Sequence, residues 1–275
     1  MNRHFFPRLS AVGLCCLLSS LFRPAAAQEK ETVLIDRFDH TRDVPVPYVE
    51  SLREQVGRAF TDRGRHQVID AQTLPSLSAS RSTADREILL RTTGARYVIS
   101  GQVSDYLFRR EIVGDKPRFT TAMRLVLTGY DLRNDREIAP EEFRLSGSGA
   151  TAEEADTRAF ASLPYSLLFY IDRRFRFETR ILRLAPADAK GRLKELYIHS
   201  GHSIGVQRKD LFLVYRETDM GEGAIAREQI GKLRVKEVMG DEVTKCTIVR
   251  GSDEIASSFA TGETLIVVSD SESLF

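Results

Sequence analysis

Residues 201–205 read GHSIG, in which Gly201, Ser203 and Gly205 match the G-x-S-x-G pattern of many serine hydrolases. That pattern works where a sharp strand-to-helix turn lifts the hydroxyl above a sheet and a histidine follows later in the chain. Here Val206, Leu211, Leu213 and Tyr215 follow with the alternation of a strand, and His202 is the last histidine. A triad in another order would have to draw on His40, His66 or His199, none of which sits in a supporting motif. The stretch therefore reads as a glycine-bracketed turn in a β region, and a hydrolase using Ser203 is kept only as an alternative.

His199 and His202 have H-x-x-H spacing, but they fall at the end of a strand without a third ligand at a familiar interval, so no metal is expected. Cys246 lies in the apolar phase of VTKCTIV and reads as a core thiol. Glu153, Glu154 and Asp156 cluster where a helix begins, which the helix dipole explains. SGSGAT (146–151) lacks the lysine and spacing of a phosphate loop and reads as a turn into a helix capped by Thr151. RRFRFETR (173–180) is different: Arg173, Arg174, Arg176 and Arg180 alternate with Phe175 and Phe177, as on surfaces that bind anions by charge and stacking. These four arginines are the one candidate interaction surface, for an envelope glycan or lipid head group. The plainer reading is a junction with phenylalanines inward and arginines wet. No catalytic residue and no cofactor is expected.

These residues must be positioned by elements of two kinds. Residues 1–27 pair Arg3 and Arg8 with an apolar run and end in Ala25, Ala26 and Ala27, the pattern of a secretory signal peptide. Its removal takes three arginines and no acid, turning 40 basic and 39 acidic side chains into 37 and 39. That balance argues against nucleic acid as a partner. Cys15 and Cys16 leave with it, so Cys246 has no disulfide partner. From residue 28 to 176 strands and helices alternate: TVLIDRF, a helix over 48–64, HQVID, a helix over 82–94 capped by Ser82, ARYVISGQV, a hairpin over 118–149 turning at Asn134 and Asp135, and a helix over 151–174 kinked by Pro164. From 177 to 275 the helical period disappears and short apolar runs are separated by turns, Gly240-Asp241 among them; APADAKG (185–191) is the most linker-like stretch. The fold class expected is α+β: an α/β layer with a mixed sheet, then a small all-β, barrel-like domain.

Several stretches resemble known bacterial envelope proteins. TVLIDRF, GRHQVIDAQTL, TADREILLRTTGARYVISGQVSDY and TAMRLVLTGYDLRNDREI are similar to the α/β domain shared by the curli component CsgG, the TolB amino-terminal domain and the flagellar protein FlgT, with Gly101 letting its strand bend. HSIGVQRKDLFLVYRE resembles the FlgT β domain at Gly205, Val206, Asp210, Phe212, Val214 and Tyr215, with Lys209 where that pattern has glycine. The resemblance implies a non-enzymatic exported protein, periplasmic, acting as an accessory or scaffold in assembly of an envelope machine. Its partners would be envelope proteins, with homo-oligomerisation and peripheral outer-membrane association left open. The alternative is an oligomeric outer-membrane channel component. Against it, residues 105–147 carry Arg109, Arg110, Glu111, Asp115, Lys116, Glu141 and Glu142, too polar for a lipid-facing band.

Overall fold

The computed structural model describes residues 30–79 and 83–270. The signal-peptide segment 1–27 and the cap Ser82 lie outside them. The first half is a five-stranded mixed sheet, with β1 (Glu31–His40) parallel to β2 (His66–Asp70) and to β3 (Tyr97–Val113). β4 (Lys116–Asp131) and β5 (Arg136–Gly149) continue it antiparallel, giving the order β2-β1-β3-β4-β5. Parallel neighbours need helical crossovers, and α1 (Val46–Arg63) supplies the first, ending at Gly64 with φ 76°. α2 (Pro75–Ala79) and α3 (Thr83–Thr92) supply the second.

Periodicity decides which face each helix covers. Val49, Leu52, Val56 and Phe60 of α1 pack with Val33, Ile35, Tyr97, Ile99, Leu125 and Leu127 in the main core. The opposite face is covered around Leu34, Ala71, Leu77, Ala95 and Val98. At Gly101 a Cβ would lie 2.6 Å from the Phe38 ring, so the glycine admits that ring against the strand rather than serving only as a bend.

The helix expected over 151–174 is two helices, α4 (Ala152–Phe160) and α5 (Leu163–Arg174). Pro164 sits in the first turn of α5, where its missing N–H costs nothing, so it starts a helix instead of kinking one. Thr151 caps α4 by accepting the Glu154 N–H, as expected. The strands β3 and β4 also run further than the sequence indicates, pairing out to Val113 and Lys116 after a slip between Ser104 and Leu107. The charged residues there hide the alternation that a half-buried strand would show.

The second half is a closed antiparallel barrel in the order β10-β7-β6-β11-β8-β9. Its strands are β6 (Glu178–Leu184), β7 (Glu195–Ile198), β8 (Leu211–Asp219), β9 (Ile225–Val238), β10 (Thr244–Arg250) and β11 (Thr264–Asp270). Closure removes exposed sheet edges. Leu196, Ile198, Phe212, Val214, Leu233, Val235, Cys246 and Val267 fill it. APADAKG is the β6–β7 connection within the barrel, not a linker: Asp188 accepts the N–H groups of Lys190 and Arg192. Helical structure also returns after residue 176, as α6 (Ser252–Ala260), whose Ile255 is fully buried in the barrel core. The cue was Asp253 and Glu254 in a first turn, but the helix is too short for its period to stand out.

Candidate functional site

GHSIG is a turn of 3₁₀ helix over His202–Ile204, between β7 and β8, with no strand-to-helix elbow. The Ser203 hydroxyl donates to the Asp241 carbonyl at 2.6 Å, tying this turn to the Gly240-Asp241 turn. A Cβ on Gly201 would lie 2.2 Å from the Gly240 carbonyl oxygen, and one on Gly205 would lie 2.3 Å from that of Arg63. The two glycines are thus required by close backbone approach, one within the barrel and one between barrel and sheet layer. His199 is 3.8 Å from Glu242 and His202 is exposed; among the described residues no group of three or more potential ligands gathers for a metal. Burial pushes the Cys246 thiol up to about 12, leaving it a core side chain.

Gly205 lies in the seam between the two halves, and four buried charges lie beside it. Arg63 ends α1, Arg65 precedes β2, Asp172 is in the last turn of α5 and Asp210 precedes β8. Asp172, with no exposure, accepts from Arg63 Nε at 2.6 Å and Arg65 Nη1 at 2.5 Å. Both guanidinium groups also come within 3.6 Å of Asp210. Burial and the neighbouring Arg63 lower Arg65 to about 10, so it remains charged at neutral pH. His66, packed edge-on against Phe60, Tyr97 and Phe175, is lowered to about 3 by burial first and Arg65 second, and is neutral.

RRFRFETR crosses this seam. Phe175 enters the core of the sheet layer and Phe177 packs against Phe212 of the barrel at 5.6 Å, while Arg65 lies 5.0 Å over the Phe177 ring. The arginines between them face an open cleft. One part of it, about 560 Å³, is lined by Arg65, His66, Arg96, Arg133, Arg176 and Arg227, together with Glu31 and Glu178. The adjoining part, about 660 Å³, shares Arg96, Arg176 and Arg227 and adds Arg136, Arg173 and Arg174. Of the four arginines read from the sequence, three line the cleft; Arg180 is exposed on β6 and is not among its lining.

Most of these charges are matched. Arg173 and Arg174 reach Glu141 at 2.5 and 3.5 Å, Arg227 pairs with Glu178 and Glu217, and Arg96 lies near Glu31 and Asp131. Arg136 and Arg176 have no carboxylate partner among the described residues. The Nε–H groups of Arg65, Arg96, Arg173, Arg174 and Arg176 are also buried without an acceptor among the described residues. Arg65, Arg96, Arg133, Arg136 and Arg227 are scattered through both halves, and no local sequence signal marks them as neighbours of Arg176.

Fold and cleft together define a class: a mixed α/β layer locked to a closed β barrel, with a basic cleft at the joint. No protein-family model matches the sequence, and no curated protein matches it. Solved structures resemble part of it. The PelC dodecamer from Paraburkholderia phytofirmans is 17% identical, with 49% of this chain and 87% of that one covered at a TM-score of 0.33. Lipoprotein GNA1162 from Neisseria meningitidis is 13% identical, over 52% and 99% of the two chains at 0.38. The LpoB C-terminal domain from Salmonella enterica is 13% identical, over 42% and 83% at 0.28. The likeness is loose and reaches only about half of the chain.

Proposed function

We propose that the protein is an exported, non-enzymatic accessory or scaffold of a bacterial cell-envelope assembly machine, of flagellar, curli-type or related secretory kind. In this reading a sheet-layer unit of residues 28–176 and a barrel unit of 177–275 act as one rigid body. That body engages its partner at the arginine face around Arg173, Arg174 and Arg176, with Arg180 at its margin. The observation that carries the reading is the buried Arg63–Arg65–Asp172–Asp210 cluster beside the charged cleft, which supports a fixed arrangement of the two units. Rigid presentation lowers the ordering cost of binding, as a scaffold requires. The leader-like residues 1–27 and the resemblance of GARYVISGQV and HSIGVQRKDLFLVY to CsgG, TolB and FlgT proteins support the location and the role.

The test is crosslinking in intact cells with the mature chain tagged at its carboxy terminus, soluble and membrane fractions being analysed apart. Defined envelope partners recovered from the soluble fraction, and lost with Arg176→Glu, are the expected result. A ladder of self-crosslinked species confined to detergent-extracted membrane would instead favour the channel.

A further inference from the structure

The geometry points to a binding site for a phosphate group in the cleft between sheet layer and barrel, held by Arg176 and Arg136 with Arg96 and Arg65 beside them. The inference rests on reading this cleft as the binding face and adds the chemistry of what enters it. Arg176 and Arg136 line it without a carboxylate partner among the described residues, and Arg176 stands in both of its parts. A guanidinium group carries only N–H donors, so the partner these two lack is an acceptor.

A phosphate fits better than a carboxylate because it offers three terminal oxygens and close to two negative charges, which several guanidinium groups can share. Two of those groups are held by aromatic faces, Arg96 at 4.7 Å over Tyr97 and Arg65 at 5.0 Å over Phe177, which limits their freedom before any ligand arrives. Glu31, Asp131 and Glu178 on the same walls disfavour an extended polyanion and suit one compact group. The shared chemistry is a phosphomonoester, from a soluble ligand or from a lipid whose head group is a phosphomonoester.

The test is calorimetric titration of the full mature chain with inorganic pyrophosphate, with citrate at equal ionic strength as a carboxylate control. Expected are one site per chain, weak citrate binding, and at least a tenfold loss of pyrophosphate affinity in the Arg136→Gln/Arg176→Gln double variant. Neither replaced residue has an ion pair among the described residues, so the variant should keep its melting temperature; Arg118→Gln, on β4 and outside the cleft lining, should bind as the parent does. Sedimentation with phosphatidic acid vesicles separates the sources. Binding that pyrophosphate displaces supports a head group, and pyrophosphate binding without vesicle binding supports a soluble ligand. Absent pyrophosphate binding at millimolar concentration, equal affinity for citrate, or unchanged affinity in the double variant would each overturn the inference. If partner crosslinking still depends on Arg176 in that case, the scaffold reading survives without the phosphate.

Discussion

The arginines of the seam are costly residues to bury, and their neighbours show how that cost is met. Two guanidinium groups share the Asp172 carboxylate, and the adjacent imidazole of His66 stays uncharged. Its Nδ1 has no partner among the described residues, so the ring serves mainly as an aromatic plate. This makes a prediction in pH. Unfolded, His66 takes a proton near 6.5; folded, it does not until about 3. Between those values the unfolded state binds more protons, so stability is fully present above 6.5 and falls as pH drops through the window, by at most about 1.4 kcal/mol per unit. Urea titrations of His66→Phe, which keeps the edge-on ring contacts, should show a flatter loss between pH 6.5 and 4 than the parent.

At the scale of elements, turns carry more information than strand interiors. The β-turn Gln207–Asp210 leads into β8, with the Asp210 N–H on the Gln207 carbonyl at 3.2 Å and Lys209 at φ 78°. Type II turns reserve that third position for glycine, and it is the position at which the FlgT-like pattern has one. A lysine there costs about 1–2 kcal/mol in backbone strain, partly offset because glycine would loosen the unfolded chain by about 0.5–1 kcal/mol. Lys209→Gly should therefore stabilise the protein by about 0.5–1 kcal/mol, read as a melting temperature higher by about 2 °C. A decrease would mean that the lysine makes a compensating contact.

For the molecule as a whole, the sheet layer and the barrel meet at a seam of buried charge. The seam joins the end of α1, the end of α5, the GHSIG turn and the start of β8 through four buried charges and the Gly64–Gly205 approach. Such a network contributes less to net stability than to fixing one arrangement, but removing one member leaves the others uncompensated. Asp172→Ala should cost about 3–5 kcal/mol. Because the main core of the sheet layer and the core of the barrel are separate, its denaturant unfolding should split into two transitions. A single transition with unchanged midpoint would show that the charge cluster does not couple the units.

By itself the chain determined what is local. Apolar periodicity marked α1 and the strands; the lack of any histidine after His202 disfavoured the hydrolase reading; the alternation of Phe175 and Phe177 with arginines marked a junction. The long β3–β4 hairpin and α6 were hidden because their patterns are masked by charge or are too short. Tertiary structure alone decided the barrel closure, the identity of Gly205 as a contact point, and the cleft. Its arginines come from residues 65 to 227 and share no spacing; they become a site only when the seam brings both units together, since charges cooperate over a few ångströms of space whatever their separation along the chain.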